Sequence, residues 1–314
     1  MSAPEAPVAT RPSAPRSPWW RRALLLVGFA SAAFVLSRLE LRAMVEALGR
    51  VSIVTVLVAT LAMWGNMALK AVRWQRMLRQ RGARVPASLT TPVFFEAMLW
   101  GSLTLGRAGE LFRVAPLVES GVPLRGALAS VLLDRALDLG FLVVVGAASL
   151  AFATGHVLLA AAVGVATLVL LVVVGALGRR QAIDDAPPAG RLRLVLEEMR
   201  AFFYPAALLE SGVWTVASWA TSFVIVLVLA ADVAPEAHAL RLLAAAFIAS
   251  LSTLLPITYQ GVGTREPIFA AVLAADGVPS ERAVLLALLV FTLNLVPVLV
   301  LGFVAGVWRR RSRR

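Results

Sequence analysis

The sequence contains no cysteine, only two histidines and a single lysine. The absence of cysteine excludes disulfides, thiolate metal sites and cysteine nucleophiles. The two histidines, His156 and His238, leave little material for zinc chemistry or for a serine–histidine–aspartate triad. We therefore expect no metal site and no cofactor, and we expect the chain not to be an enzyme.

Charged residues are also scarce. Of the 314 residues, 15% are charged and 60% are hydrophobic, and the mean hydropathy is +0.83. Soluble domains have about 25% charged and about 45–50% apolar residues, so a chain of this length could not bury so much apolar surface in one core. The composition predicts an all-α polytopic membrane protein.

The net charge is +12, and almost all of the basic residues are arginines. In a soluble protein such an excess would indicate nucleic-acid binding. Here the basic residues cluster between apolar runs, which indicates membrane orientation and contact with anionic lipid instead. We therefore expect membrane lipids with anionic headgroups as partners, and no nucleic acid.

Six apolar runs are read as transmembrane helices, and all but the short first one approach or reach the roughly 17–25 residues that cross a bilayer. They are residues 23–37, 51–69, 126–150, 157–177, 206–230 and 283–307. On this topology the cytoplasmic segments hold 23 basic residues and the outer segments six. The positive-inside rule then predicts a multi-pass protein of the inner (plasma) membrane with both termini in the cytoplasm.

The same topology predicts the organisation of the chain. Residues 1–22 form a disordered cytoplasmic tail, 23–308 a transmembrane domain, and 309–314 a basic cytoplasmic tail. Within the domain, halves 23–177 and 201–308 are joined by a cytoplasmic connector, 178–200. The basic stretch Lys70–Arg84 is expected to continue the second span as a helix on the membrane surface.

Two further apolar stretches, 89–105 and 242–273, are interrupted by small residues and charge. The first leads into SLTLGRAGELFR and the second contains STLLPITYQGVGTREPIF. Irregular backbone at membrane depth is tolerated where it is buried in protein or lines a wet cavity, and paired interruptions in two halves indicate a transporter site. We predict two re-entrant segments related as an inverted repeat, although ordinary surface loops are an alternative. The residues expected to allow the breaks are Gly106, Gly109, Pro256, Gly261 and Gly263.

The span 126–150 carries three charged residues, Asp134, Arg135 and Asp138. Each such charge costs roughly 2.5–3.5 kcal/mol at a helix centre, so these side chains are expected to face protein or water. Ser130, Asp134 and Asp138 recur every four residues and share one face, and Arg135 is expected to pair within the bundle or with a glutamate of a broken segment. An ion-pair network that only locks helices together and a direct role in transport both fit this pattern.

With these motifs, the chain resembles the flippase-like family named after the transmembrane region of lysylphosphatidylglycerol synthetase. The resemblance rests on Leu105–Glu110 followed by Arg113, on Asp134-Arg135 with Asp138, and on the segment from Pro256 to Glu266. Leu105 replaces the usual proline, Asp134 the usual glutamate, and Tyr259-Gln260 the usual Pro-Gly. We expect a stand-alone membrane member without the aminoacyl-transferase domain of the full synthetases.

The resemblance implies a transporter that moves a lipid or lipid-linked headgroup between leaflets, such as an anionic or aminoacylated phospholipid. An alternative is a non-transporting membrane partner that docks an envelope glycosyltransferase or lipid synthase through the basic surface Lys70–Arg84. The predicted substrate-binding residues are Arg107, Glu110, Arg113, Asp134, Arg135, Asp138, Arg265 and Glu266.

Overall fold

The computed structural model describes residues 51–156, 205–253 and 261–311, together with a few isolated positions (45–46, 49–50, 158–159, 161–162 and 165–166). The regular elements in these ranges are helices, and no strand occurs within them. The predicted all-α architecture is therefore confirmed for the described part of the chain.

The helices fall into two groups of similar design. The first group consists of α1 (Ile53–Gln80), α2 (Ala87–Leu103), a 3-10 helix (Leu105–Arg113), α3 (Val114–Glu119) and α4 (Leu124–Ala153). The second consists of α5 (Pro205–Val233), α6 (Ala239–Ser252), α7 (Arg265–Leu273), a 3-10 turn (Ala274–Asp276) and α8 (Ser280–Arg311). In each group a long helix is followed by a shorter helix, a break and a second long helix.

Among the described residues, four helices are long and apolar enough to cross a membrane. They are Ile53–Gln80, Leu124–Ala153, Ala206–Val233 and Ser280–Arg311, and they correspond to four of the six predicted spans. The other two, 23–37 and 157–177, lie outside the continuous described ranges, as do the tail 1–22 and the connector 178–200. The predicted domain boundary at residue 308 falls inside α8, which continues to Arg311.

Helix α1 extends well beyond the predicted span. Its first turn is capped by Ser52, whose hydroxyl oxygen accepts the amide hydrogen of Thr55 at 3.0 Å. The helix then continues without interruption to Gln80. Its C-terminal part is not a surface helix as predicted, because Lys70 and Arg73 are buried against other helices.

The first predicted break is a tight fold-back of the 3-10 helix onto the end of α2. Gly109 packs against the backbone of Trp100, where even a Cβ atom would clash, and a Cβ on Gly101 would lie 2.6 Å from Glu110 Cγ. Gly109 therefore permits a close approach of two backbone segments, one of the two roles that glycine was expected to have at the breaks, and it does not have a positive φ. In the described residues the positive φ at this break belongs to Arg107, at 58°, a conformation that costs a non-glycine residue about 1–2 kcal/mol.

The second predicted break also brings the chain back onto the helix before it. The hydroxyl groups of Thr264 and Ser252 are hydrogen-bonded at 2.9 Å, so the start of α7 lies beside the end of α6. Gly261 and Gly263 have φ values of 76° and 85°, which confirms the conformational role predicted for these two glycines. Pro256, the remaining predicted break residue, lies outside the described residues.

Helices α1 and α5, the first long helix of each group, form the most extensive helix pair and run antiparallel. At one end the Ser52 amide donates to Asp232 Oδ2 at 2.9 Å, and at the other end Arg76 and Glu210 form an ion pair at 3.2 Å. The two helices therefore point in opposite directions although they occupy the same place in their groups.

Two further helix contacts occur at equal positions in the two groups. Helix α2 packs antiparallel on α8, and α6 packs antiparallel on α4. Phe95 and Phe247 are each the ninth residue of α2 and α6, and Gly302 and Gly146 are each the twenty-third residue of α8 and α4. A Cβ on Gly302 would lie 2.8 Å from the Phe95 carbonyl oxygen, and one on Gly146 would lie 3.1 Å from Phe247 Cβ.

The contact between α1 and α5 occurs at the same register. Asn66 and Ser218 are each the fourteenth residue of their helix, and they meet directly. The Asn66 amide donates to the Ser218 carbonyl oxygen and, at 2.8 Å, to the hydroxyl of Ser222. The apolar core surrounds this point and includes the buried side chains of Trp74, Phe94, Ile225, Phe269 and Leu286.

Candidate functional site

The polar stripe predicted on α4 faces the protein interior. Ser130, Asp134 and Asp138 are all buried, as their spacing on one helical face predicts. The Ser130 hydroxyl accepts the indole hydrogen of Trp74 at 3.3 Å. The predicted inward orientation of this face is confirmed.

Asp134 lies at the centre of a buried set of ion pairs. Arg73 Nη2 is 2.6 Å from Asp134 Oδ1, and Arg113 Nη1 is 2.8 Å from Asp134 Oδ2. All three residues have essentially no exposure to solvent. Charge-assisted bonds of this kind are short and strong, and they offset the desolvation of the charges. Asp134 thus joins α1 and the end of the first 3-10 helix to α4.

Asp138 binds the same arginine and also the lysine. Arg73 Nη1 is 2.8 Å from Asp138 Oδ1, and Lys70 Nζ is 3.1 Å from Asp138 Oδ2. Arg73 also donates to the Thr215 hydroxyl at 2.9 Å, which connects α5 to this set. The ammonium group of Lys70 lies 4.7 Å from the ring centroid of Trp219.

Glu110, in the first broken segment, forms ion pairs with three arginines. Arg107 Nε and Arg113 Nη2 each lie 2.9 Å from a Glu110 oxygen, and Arg135 forms a further ion pair with it. The predicted pairing of Arg135 with a glutamate of a broken segment is therefore confirmed. We refer to this set as the ion cluster: Lys70, Arg73, Arg107, Glu110, Arg113, Asp134, Arg135 and Asp138.

Arg113 is enclosed by aromatic rings as well as by carboxylates. Its guanidinium carbon lies 5.1 Å from the ring centroid of Trp74 and 5.0 Å from that of Phe94. Cation–π contacts of this kind add to the ion pairs when the cation is desolvated. Arg113 is therefore held by two carboxylates and two aromatic rings.

A cavity of about 500 Å³ lies next to the ion cluster. This volume falls within the range of about 300–1,000 Å³ that is typical of ligand sites. Most of its wall is apolar and comes from α4, α5, α6 and α8. Its charged wall residues are Lys70, Arg107, Arg135, Asp138 and Arg265.

The eight predicted binding residues therefore separate into two groups. Arg107, Arg135, Asp138 and Arg265 line the cavity, whereas the other four do not. The second group is Glu110, Arg113, Asp134 and Glu266, and all four are buried.

Glu266, a predicted binding residue, does not line the cavity. Its carboxylate accepts the amide hydrogen of Gly263 at 2.8 Å, so it holds the turn that precedes α7. Arg265, its neighbour, does line the cavity, and its guanidinium carbon lies 5.1 Å from the ring centroid of Phe291. The arginine and the glutamate of the second break thus contact different parts of the protein.

Sequence reasoning missed Lys70 and Arg73 as members of the site. Both belong to a run of basic residues at the end of a predicted span, a pattern typical of a cytoplasmic helix end. A signal was nevertheless present, because Asp134 and Asp138 are buried one helical turn apart and need basic partners on a neighbouring helix. Lys70 and Arg73, also one turn apart, provide them.

A second buried ion pair lies apart from the ion cluster. Glu96 of α2 accepts from Arg309 of α8 at 2.7 Å, and Arg309 also lies 5.3 Å from the ring centroid of Phe112. A Cβ on Gly306 would lie 3.5 Å from the Glu96 carboxylate. Arg309 is thus part of the folded bundle and not of a free basic tail.

We compared the chain with models of known protein families. A family model described as the lysylphosphatidylglycerol synthase TM region matches residues 22–302. The chain belongs to the lysylphosphatidylglycerol synthase transmembrane-region family. A search of curated proteins finds no match.

Membership of the lysylphosphatidylglycerol synthase transmembrane-region family agrees with the long apolar helices and identifies a multi-pass membrane protein with a lipid-related function. Among the residues that the structure describes, no group of three or more His, Asp or Glu side chains could hold a metal ion. The three carboxylates of the ion cluster are instead engaged by arginine and lysine.

Proposed function

We propose that this chain binds a membrane phospholipid in the cavity beside the ion cluster and moves its headgroup between the two leaflets. The observation that carries the proposal is the composition of the cavity wall. Lys70, Arg107, Arg135 and Arg265 supply basic groups, while the rest of the wall is mainly apolar. Such a wall offers arginine forks to a phosphate and apolar surface to the beginning of an acyl chain.

We further propose that the two groups of helices form an inverted repeat. The antiparallel pair α1–α5, the glycine-to-phenylalanine contacts at equal positions and the contact of Asn66 with Ser218 support this relationship. Transporters built from such repeats place the substrate between the halves and expose it alternately to each side. In this arrangement the first broken segment, which ends at Arg113, corresponds to the second broken segment, after which α7 begins at Arg265.

The two parts of the ion cluster then have different roles. Arg73, Arg113 and Asp134 are closed off from the cavity and hold α1, α4 and the first fold-back segment together. Arg107 and Arg135 share Glu110 and border the cavity, so they are available to a headgroup phosphate. The structural and the transport explanations of the charged span thus apply to different residues of the same cluster.

The remaining expectations are part of the proposal. We place the protein in the inner (plasma) membrane with both termini in the cytoplasm, because basic residues are concentrated in the segments on that side. We also propose that it acts without catalysis and without a cofactor, as a carrier of lipid. Its partners are then membrane lipids with anionic headgroups.

Reconstitution into liposomes tests the proposal. Fluorescent phosphatidylglycerol is placed in both leaflets, and a reductant that does not cross membranes bleaches the outer leaflet. Wild-type protein should let nearly all of the fluorescence bleach, whereas Arg265→Gln and Arg107→Gln should slow movement about tenfold, since a hydrogen bond to a charged group contributes about 1.5–3 kcal/mol. Arg76→Gln is the matched control, because Arg76 is exposed and pairs with Glu210 away from the cavity.

The alternative function, docking of an envelope glycosyltransferase or lipid synthase, depends on the basic stretch Lys70–Arg84. Two of its six basic residues, Lys70 and Arg73, are buried, and Arg76, Arg79 and Arg84 are exposed. Folded protein that moves no lipid at any protein-to-lipid ratio would contradict transport. Loss of a co-purifying enzyme on replacing the three exposed arginines by glutamine would then favour docking.

A further inference from the structure

Arg265 lines the cavity, and Glu266, its neighbour in the chain, is the described carboxylate that acts on its charge, at a distance too long for an ion pair. Its guanidinium lies over Phe291, its Nε is buried without a hydrogen-bond partner, and no ion pair to it is found among the described residues. The adjacent Glu266 is turned to the amide of Gly263. A cation without an ion pair at a largely apolar cavity wall has an unfavourable desolvation energy unless a ligand neutralises it.

The corresponding arginine of the first group, Arg113, shows which partners Arg265 lacks among the described residues. Arg113 and Arg265 each lie 26 residues beyond the first residue of α2 and α6, respectively. Arg113 is neutralised by Asp134 and Glu110, at 2.8 and 2.9 Å. The eleventh residue is Asp134 in α4 but Val290 in α8, so the second group has the arginine without its acid. Val290 lines the cavity, as Arg265 does.

The charge balance around the cavity indicates what would neutralise this site. The ion cluster contains five basic side chains and three carboxylates. Arg265 and Glu266 add one of each sign, so an excess of two positive charges remains among the described residues. A headgroup with a single negative charge neutralises half of that excess. A headgroup that combines one negative phosphate with one ammonium group leaves the excess unchanged, and a lysyl headgroup with two ammonium groups increases it.

We propose that the cavity selects a lipid headgroup whose phosphate carries two negative charges and rejects a cationic aminoacylated headgroup. The phosphate lies between Arg265 and the pair Arg107 and Arg135, which line the same cavity. An ammonium group on the ligand finds no free carboxylate there, because Asp138 already binds Lys70 and Arg73. Unfavourable contacts of this kind discriminate as strongly as favourable ones. The inference rests on the proposed function in taking the ligand to be a membrane lipid.

Lipid binding to the purified full chain tests the selection directly. Acyl-matched phosphatidic acid, phosphatidylglycerol, phosphatidylethanolamine and lysylphosphatidylglycerol are offered at equal concentration at pH 8, where a phosphate monoester is close to doubly ionised. Native mass spectrometry should show phosphatidic acid bound about tenfold more tightly than phosphatidylglycerol, and lysylphosphatidylglycerol bound least. Equal or tighter binding of lysylphosphatidylglycerol would overturn the selection and leave lipid transport standing.

A soluble phosphate separates this result from failure of the proposed function. Glycerol 3-phosphate offers the same doubly charged group without acyl chains, so it should compete only weakly with phosphatidic acid. If it binds as tightly as the lipid, the ligand is not a lipid, and the proposed function is overturned together with the inference.

A matched pair of variants tests the role of Arg265. Val290→Asp supplies the missing carboxylate, while Val290→Asn introduces a side chain that has nearly the same shape as aspartate but no charge. Val290→Asp should bind phosphatidic acid about tenfold more weakly than Val290→Asn does, and Arg265→Gln should bind it about tenfold more weakly than wild type, whereas Arg76→Gln should bind as wild type does. Equal binding by the aspartate and asparagine variants, both with wild-type thermal unfolding, would overturn the proposal.

Discussion

Arg113 and Asp134 are joined at 2.8 Å between two buried side chains, and this ion pair attaches the first fold-back segment to helix α4. The pair is not isolated, because Asp134 also binds Arg73 and Arg113 also binds Glu110. Each of the two residues therefore has two oppositely charged neighbours. Removal of one charge leaves others buried without compensation.

Neutralising Asp134 should consequently destabilise the whole bundle. We expect Asp134→Asn to lower the free energy of unfolding by about 3–5 kcal/mol, because Arg73 and Arg113 both lose a carboxylate. Thermal unfolding of the purified protein in detergent, followed by tryptophan fluorescence, measures the effect.

Glu210→Gln is the control for this variant. Glu210 pairs with the exposed Arg76, so its loss should cost about 0–1 kcal/mol. Equal unfolding temperatures for Asp134→Asn and Glu210→Gln would show that the buried pairs contribute no more than the exposed one.

Replacing a glycine of a long helix by alanine should change the stability of the protein according to the free space around that glycine. A Cβ on Gly302 meets the carbonyl oxygen of Phe95 at 2.8 Å, so Gly302→Ala should destabilise the protein by about 1–3 kcal/mol. Nothing lies within 4 Å of a Cβ on Gly65, and Gly65→Ala should stabilise α1 by about 0.5–1 kcal/mol. Unfolding temperatures of the two variants should therefore change in opposite directions, and an unfolding temperature of Gly302→Ala at or above that of the wild type would contradict the α2–α8 packing.

The sequence allowed much of the first group to be predicted, and the reason is local periodicity. The spacing of Ser130, Asp134 and Asp138 determines one face of a helix, and the cost of charge in lipid requires that face to point inward. The partners could not be predicted in the same way. Lys70 and Arg73 resemble residues that only orient a span, because the positive-inside rule does not separate basic residues on the inward face from those on the outward face.

A helix ends at each of the two predicted breaks, at Leu103 and Ser252, and the roles of the glycines there were predicted only in part. Gly261 and Gly263 have the positive φ values that we expected. Gly109 permits the close backbone approach that was also expected of these glycines, but its partner, the backbone of Trp100, is a tertiary contact that no local pattern reveals. The position of Glu266 was missed for a similar reason, because a glutamate in the first turn of a helix can face a cavity or bond to the preceding amides.

Glu266 should matter for stability more than for transport. Glu266→Ala removes the acceptor for the Gly263 amide and should cost about 1 kcal/mol. Glu266→Gln keeps an oxygen in that place and should preserve both the unfolding temperature and lipid movement. Abolished transport by a stable Glu266→Gln protein would instead assign this carboxylate a proton-carrying role.

Arg107 combines a cavity side chain with an unfavourable backbone conformation. Its φ of 58° favours glycine, whereas its guanidinium contacts Glu110 at 2.9 Å and borders the cavity. Strain of this kind is often found at functional positions, where activity is retained at the expense of stability.

Arg107→Gly and Arg107→Gln both remove the guanidinium, and Glu110 keeps Arg113 and Arg135 in either case. The glycine variant should be more stable than the glutamine variant by about 1 kcal/mol, while both move lipid about tenfold more slowly than wild type. Unfolding curves and the liposome assay on the same preparations measure the two effects separately. A glycine variant that transports as wild type does would show that Arg107 acts through backbone geometry alone.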